Sequence, residues 1–175
     1  MSQGRAMELT QKLAPDSGYR FDYVNQILML DNCQPQFDIA KQRDKLPKKQ
    51  VDKSIAKVIE DIREQKKVVA KSTFVDKIGT LLCETVFNIE KDDYAKKYII
   101  DDNCIRCKTC EKVCPMGNVK VTNHVEFLNH CACCQACIHA CPKHAIHLKW
   151  ERNTERWRNP DVKLSEIIEA NNQGI

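Results

Sequence analysis

The chain has 175 residues, 42 % of them apolar, with 28 Lys and Arg against 24 Asp and Glu for a formal charge of +4. That length makes one ordinary domain or two small ones, and no apolar run approaches the roughly 20 residues of a membrane helix. The N-terminus, MSQGRAMELT, lacks a basic region followed by an apolar stretch, so a cytoplasmic, reducing compartment is expected and the eleven cysteines point to metal rather than disulfides.

In chain order, residues 4–14 read as a short helix with Ala6, Leu9 and Leu13 on one face and Pro15 ending it. Asp16-Ser17-Gly18 is turn chemistry. Tyr19 to Leu30 reads as a strand: Tyr19, Phe21 and Tyr23 alternate, and Ile27 to Leu30 is an apolar run suited to burial on both faces. Asp31 to Pro47 reads as a loop, and Lys49 to about Gln65 as an amphipathic helix carrying Val51, Ile55, Val58, Ile59 and Ile62. A single strand between two helices is one slice of an α/β domain, whose remaining strands another chain or a longer gene product would supply. Residues 66–73 read as a linker. Phe74 to Phe87 reads as a second amphipathic helix, with Ile78, Leu81, Leu82 and Thr85 at helical spacing. Tyr98-Ile99-Ile100 reads as a short strand, Val119–Val121 and Val125–Phe127 as a hairpin over Thr122-Asn123, and Ala145 to Leu148 as the closing strand. In the tail, Asn159-Pro160 is a turn, and Leu164, Ile167 and Ile168 mark one short helix.

Between those strands lies the informative stretch. CIRCKTCEKVCP carries Cys104, Cys107, Cys110, Cys114 and Pro115, and CACCQACIHACP carries Cys131, Cys134, Cys137, Cys141 and Pro142. Both are C-x2-C-x2-C-x3-C-P, and all five positions recur at an offset of 27 residues, as do Val119 with Ile146 and Val121 with Leu148. A repeated fixed spacing marks an internal duplication, and eight thiolates so arranged look like the ligands of two iron–sulfur clusters. About fifty residues bury too little apolar surface to fold securely alone, so metal is the expected source of structure. The expected apolar shell is Ile100, Ile105, Val113, Val119, Val121, Val125, Phe127, Ile138, Ile146 and Leu148.

Blander readings suit much of the rest. Zinc fits paired C-x2-C, but needs four of the eight cysteines and leaves the third cysteine and the CP of each block unexplained. Cys133 reads as a bystander, Cys33 and Cys83 as small apolar fillers, and the five histidines, His124, His130, His139, His144 and His147, as surface residues. Trp150 and Trp157 dock a redox partner or pack on the cysteine domain. Lys41 to Lys53, with six Lys or Arg against two Asp, reads as a solvated loop and helix start rather than a nucleic-acid patch. Two oxidised clusters at about −2 each would also bring the net charge near zero. No catalytic residue is assigned.

Residues 98–149 resemble the bacterial-type ferredoxins that carry two [4Fe-4S] clusters. In that arrangement the cysteine before proline ligates the other cluster. The resemblance therefore implies Cys104, Cys107, Cys110 and Cys141 for cluster one, and Cys131, Cys134, Cys137 and Cys114 for cluster two. Four thiolates per cluster leave no open iron site, which implies electron transfer rather than substrate chemistry. More widely, the helix–strand–helix of residues 4–65, the loop DNCQPQFD, NCIRCKTCEKVCP, CxxCQACIHACPKHAI and the tail RWRNPDVKLSEIIEANN resemble anaerobe proteins that fuse a flavodoxin-like domain to a two-cluster ferredoxin.

The implied fold is α+β: a ferredoxin-like duplicated iron–sulfur domain at 98–149, preceded by a partial flavodoxin-like segment at 1–70 and a connecting helix at 71–97, and followed by a tail at 150–175. The strand and Ser/Thr/Gly-rich turn that hold the flavin phosphate in that family have no counterpart here. This speaks against FMN binding by this chain alone, and implies that Met1 is an internal or misassigned start or that the gene is degraded. The expected role is an electron carrier, or a module of a larger oxidoreductase, working between redox proteins, with a flavoprotein among the candidate partners. An iron- or oxygen-sensing interaction protein and a zinc-stabilised binding module are the alternatives.

Overall fold

The computed structural model of the chain describes residues 6–69, 73–75, 77–79, 81 and 95–172. It divides into two compact units, Met1–Met29 with Lys45–Asn88, and Leu30–Asp44 with Ile89–Ile175. The secondary structure is a mixture of helices and small two-stranded sheets, an α+β arrangement.

In the first unit, α1 (Ala6–Leu13) gives way to a 3₁₀ turn at Pro15–Ser17, closed by Gly18 at φ 77°. The left-handed backbone there is natural for glycine. β1 (Tyr23–Val24) and β2 (Val68–Val69) pair in parallel, joined through α3 (Val51–Arg63). Two expectations are corrected here. The strand over 19–30 shrinks to two residues, and Tyr19, Phe21 and Met29 are exposed. Alternating aromatics make a strand only where a neighbour supplies the ladder and a layer covers the face, and β1 has one two-residue neighbour. That neighbour falls in the stretch read as a linker. On α3 the apolar stripe is in place, yet Ile55, Ile59 and Ile62 are exposed. Buried Asp61 anchors the unit: it accepts from the Tyr23 hydroxyl at 3.2 Å and from Lys66 at 3.1 Å, and pairs with Lys57. Phe74, Ile78 and Leu81 are helical and exposed, whereas Leu82 to Phe87, with Cys83 and Thr85, lie outside the described residues.

The second unit holds α2 (Ile39–Lys45, up to Asp44), β3 (Tyr98–Ile100), α4 (Thr109–Lys112), β4 (Val119–Val121), β5 (Val125–Phe127), α5 (Ala136–Ala140), β6 (Ile146–Leu148) and α6 (Leu164–Asn172). α2 lies inside the stretch read as a loop, and its Ile39 is fully buried. β3 pairs antiparallel with β6, Tyr98 opposite Leu148, and β4 with β5, Val119 opposite Phe127.

The backbone repeats at the 27-residue offset in detail. Left-handed residues pair off as Arg106 with Cys133, Lys108 with Gln135, and Gly117 with His144. The hydrogen bond from Asp101 N–H to Ala145 O, 3.0 Å, matches that from Leu128 N–H to Asn118 O, 2.8 Å. Val119, Val121, Ile138, Ile146 and Leu148 form the core with Cys110 and Cys137, while Tyr98, Ile100, Val125 and Phe127 pack against it. Tyr98 stacks on Phe127 at 4.4 Å. Ile105, expected in this shell, is instead 57 % exposed, because its loop faces outward.

Candidate metal centre

Each cysteine block is a loop folded by two left-handed residues, one between its first two cysteines and one at the mouth of a short helix. Lys108 at φ 63° precedes α4, and Gln135 at φ 60° precedes α5. The reversals turn successive cysteines toward one side, and the proline after each fourth cysteine stops the helical turn.

Cys104, Cys107, Cys110 and Cys141 share one cavity, about 320 Å³ counting its open side, walled by Val125, Pro142 and Ile146. The fourth member thus comes from the other block. Around Cys137, burial comes first and then the charges of Cys134, Cys131, Cys110 and Cys114, so cysteines of both blocks lie near it. Cys110 and Cys137 also share the apolar core.

The donor set fits iron–sulfur clusters. Every described cysteine is free. Backbone N–H groups already point at the sulfurs: Asn118 at Cys114, 3.2 Å, Ala145 at Cys141, 3.3 Å, and Cys133 at Cys131, 3.3 Å. Such donors stabilise anionic sulfur. Asn118 is 1 % exposed and its Oδ1 accepts from His130 N–H at 2.9 Å, yet its buried Nδ2 has no partner. The Tyr98 hydroxyl lies 3.6 Å from Cys131 Sγ. Taken as thiols, Cys110 and Cys137 are pushed up by burial, Cys110 to about 11. Burial also raises Cys107, but the Thr109 hydroxyl, two backbone N–H groups and the charge of Lys112 together bring it below the usual thiol value. Buried thiols that resist ionising are relieved by a metal that takes them as thiolates.

Sequence reasoning overlooked Asn118 and Tyr98. Extending the repeat upstream would have flagged Tyr98, since its partner at the 27-residue offset is Val125, which walls the cavity of the first four cysteines.

Several residues read as bystanders are engaged. The Cys33 Sγ accepts from Gln135 Nε2 at 3.5 Å, so it is not an isolated filler. Gln135 Oε1 takes the Gln34 N–H at 3.0 Å, Gln34 Nε2 donates to Glu155 O, and Arg152 Nε donates to Pro35 O at 3.2 Å. His139 is no surface residue: its Nδ1 accepts the Trp157 N–H at 3.1 Å and its Nε2 donates to Asn32 O at 2.7 Å. Burial holds its pKa below the usual histidine value, in keeping with the neutral ring those two bonds require. His147 lies between Asp101, 3.1 Å, and Glu151, 2.7 Å, with Arg156 bonded to Glu151 and to Ile146 O. Residues 32–36 and 151–157 thus latch together over α5. His124, His130 and His144 are exposed, as read. Trp150 is 42 % exposed with the Lys97 ammonium over its ring. Cys133 packs at the core edge, and burial pushes its thiol up to about 11.

Comparison with known proteins gives two matches to this region. A family described as "4Fe-4S binding domain" matches residues 97–120. A subunit of the ion-translocating oxidoreductase complex of Methanosarcina acetivorans is 40 % identical over 55 residues, 30 % of this chain and 21 % of that protein. The match thus spans about a fifth of the relative's length. No solved structure matches. Among the described residues no helix is long and apolar enough to cross a membrane. Residues 97–120, with the first cysteine block, are thus similar to 4Fe-4S binding domains, which supports an iron–sulfur, electron-transfer domain of ferredoxin type in this part of the chain.

Proposed function

We propose that residues 98–149 are a two-cluster ferredoxin module that relays single electrons between redox proteins. Cluster one is held by Cys104, Cys107, Cys110 and Cys141, and cluster two by Cys131, Cys134, Cys137 and Cys114. The observation that supports this reading is that Cys141 lines one cavity with Cys104, Cys107 and Cys110 of the other block. When bound, a [4Fe-4S] cluster supplies a one-electron couple tuned by its surroundings. The chain's part is to hold the thiolates, aim N–H groups at them and exclude water with Val119, Val121, Ile138, Ile146 and Leu148.

Zinc is the disfavoured alternative: it would need four of the eight cysteines and leaves the third cysteine and the CP of each block unexplained.

Residues 1–70 fit a partial flavodoxin-like segment, supported by the parallel β1–β2 pair around α3. Residues 71–97 would connect it and 150–175 would form the tail. No FMN site is assigned. The likeness to one subunit of an ion-translocating oxidoreductase complex favours a place in a larger redox assembly, with a donor and an acceptor on either side.

Anaerobic reconstitution tests this. About eight irons and eight sulfides per chain are expected, with a visible band bleached by dithionite and restored by air-free reoxidation. Tightly bound zinc without sulfide would overturn the proposal. Cys114→Ala should remove the EPR signal of cluster two and leave that of cluster one; loss of the first alone would refute the assignment of Cys114.

A further inference from the structure

We propose that the mouth of cluster one is a docking face for a redox protein whose own centre is ringed by carboxylates. This rests on the two-cluster reading above. The cavity shared by Cys104, Cys107, Cys110 and Cys141 is lined by Arg106, Lys108 and Lys143, all exposed, and by no Asp or Glu. Lys112 adds a fourth positive charge close enough to act on Cys107.

The fold itself does not call for these charges. At the 27-residue offset, Arg106 corresponds to Cys133, Lys108 to Gln135, Lys112 to His139 and Lys143 to Met116. Arg106 and Cys133 share nearly the same left-handed backbone, φ 54° and 56°, as do Lys108 and Gln135. At these four equivalent positions the first block carries four cations and the second none of fixed charge, with Lys97 acting on Cys133 from outside the repeat. Surroundings differ in the same sense. Gln135 is 4 % exposed under the Cys33–Gln34 turn, and His139 is held by Asn32 and Trp157. Other segments of the chain cover Gln135 and His139 at the second site, although Cys134 is exposed there as Cys107 is at the first, so it is the basic rim that sets the first apart.

An oxidised cluster with four thiolates carries about −2, so four surrounding cations leave the mouth net positive. Ile105, 57 % exposed, stands among them as an apolar centre within a charged rim, the layout of a protein–protein contact. A second copy of the chain would bring like charge. Nucleic-acid binding commonly neutralises about 6–10 phosphates, more than this rim offers. An acidic partner gains steering, which raises encounter rates by about 10 to 10³ at low salt.

The test uses the full chain, reconstituted anaerobically, with iron and sulfide counted. The probes are fluorescent heptaglutamate and a fluorescent 15-base oligonucleotide at low ionic strength, read by anisotropy. Lysine acetylation is mapped with and without heptaglutamate. Lys108→Glu with Lys143→Glu should weaken heptaglutamate binding at least tenfold, Lys48→Glu with Lys53→Glu less than twofold, and the probe should protect Lys108 and Lys143 from acetylation. If the reversal impairs cluster loading, Lys108→Gln with Lys143→Gln is read instead, since glutamine already occupies the equivalent position at 135. Equal losses in both double variants, protection elsewhere, or tighter binding of the oligonucleotide would overturn the docking face while leaving loaded clusters, and the electron-transfer reading, intact. Absence of iron and sulfide would overturn the cluster reading and with it the redox nature of the partner.

Discussion

Asn118 does three things at once: its N–H points at Cys114, its Oδ1 holds the chain at His130, and its buried Nδ2 remains to donate. Hydrogen bonds toward cluster sulfur raise reduction potentials. On the proposed two-cluster reading, Asn118→Leu should shift the potential of the cluster that takes Cys114 downward and leave the other in place, as read by potentiometric EPR titration. Gly117 and His144 occupy matching left-handed positions, φ 57° and 51°, and the space a Cβ at Gly117 would enter is open. Only backbone strain is at stake there, so Gly117→Val should cost about 2 kcal/mol and His144→Asn very little, measured by denaturant unfolding of the loaded protein. The repeat of the cysteines was legible because their spacing is a local, covalent fact. Asn118 was not, since its value lies in which atoms its fold leaves unpaired.

Among the elements, α3 depends on charge as well as on its stripe. Hydrogen bonds from Lys57 and then Lys66 hold the Asp61 carboxyl below its usual value. A carboxylate depressed on folding stabilises the folded state above its unfolded value of 3.8, and that contribution fades as pH falls through the lower folded value. Hydrogen exchange in α3 and β2 should accelerate below about pH 4, and Asp61→Asn should flatten that dependence. Arg156 plays a comparable part beside β6. It is nearly buried and bonds Ile146 O at 2.9 Å and Glu151 at 3.3 Å. Arg156→Ala leaves Glu151 to His147 and the Leu148 N–H and frees Ile146 O, and should cost about 1–3 kcal/mol, with faster loss of the visible chromophore in denaturant. The hairpin over Thr122-Asn123 and the strands at 98–100 and 146–148 were legible because apolar alternation and the repeat agree. The strand over 19–30 was misread because its aromatics alternate without a sheet to face. α2 was missed because Pro35 and Pro47 bracket it and suggest a loop throughout.

At the scale of the molecule, the second unit draws its order from groups outside its own apolar core. Removing iron with a chelator under mild oxidation should strip exchange protection from residues 98–149, because the thiols that burial pushes up would be left packed and unligated. Persistence of that protection would show that the core suffices alone. The cysteine domain was readable in outline from the repeat, but its latch was not. It joins Gln34 to Gln135, 101 residues on, and Asn32 to His139, 107 residues on, and neutral polar side chains carry no pattern that announces such pairs. The latch also has a place in time. At roughly 5–20 residues per second, the turn at Cys33 leaves the ribosome about 5–20 s before Gln135 exists to receive it. The tail that closes over it emerges later still. The latch is therefore the last part of the second unit to settle, closing over α5 after both cysteine blocks have been made.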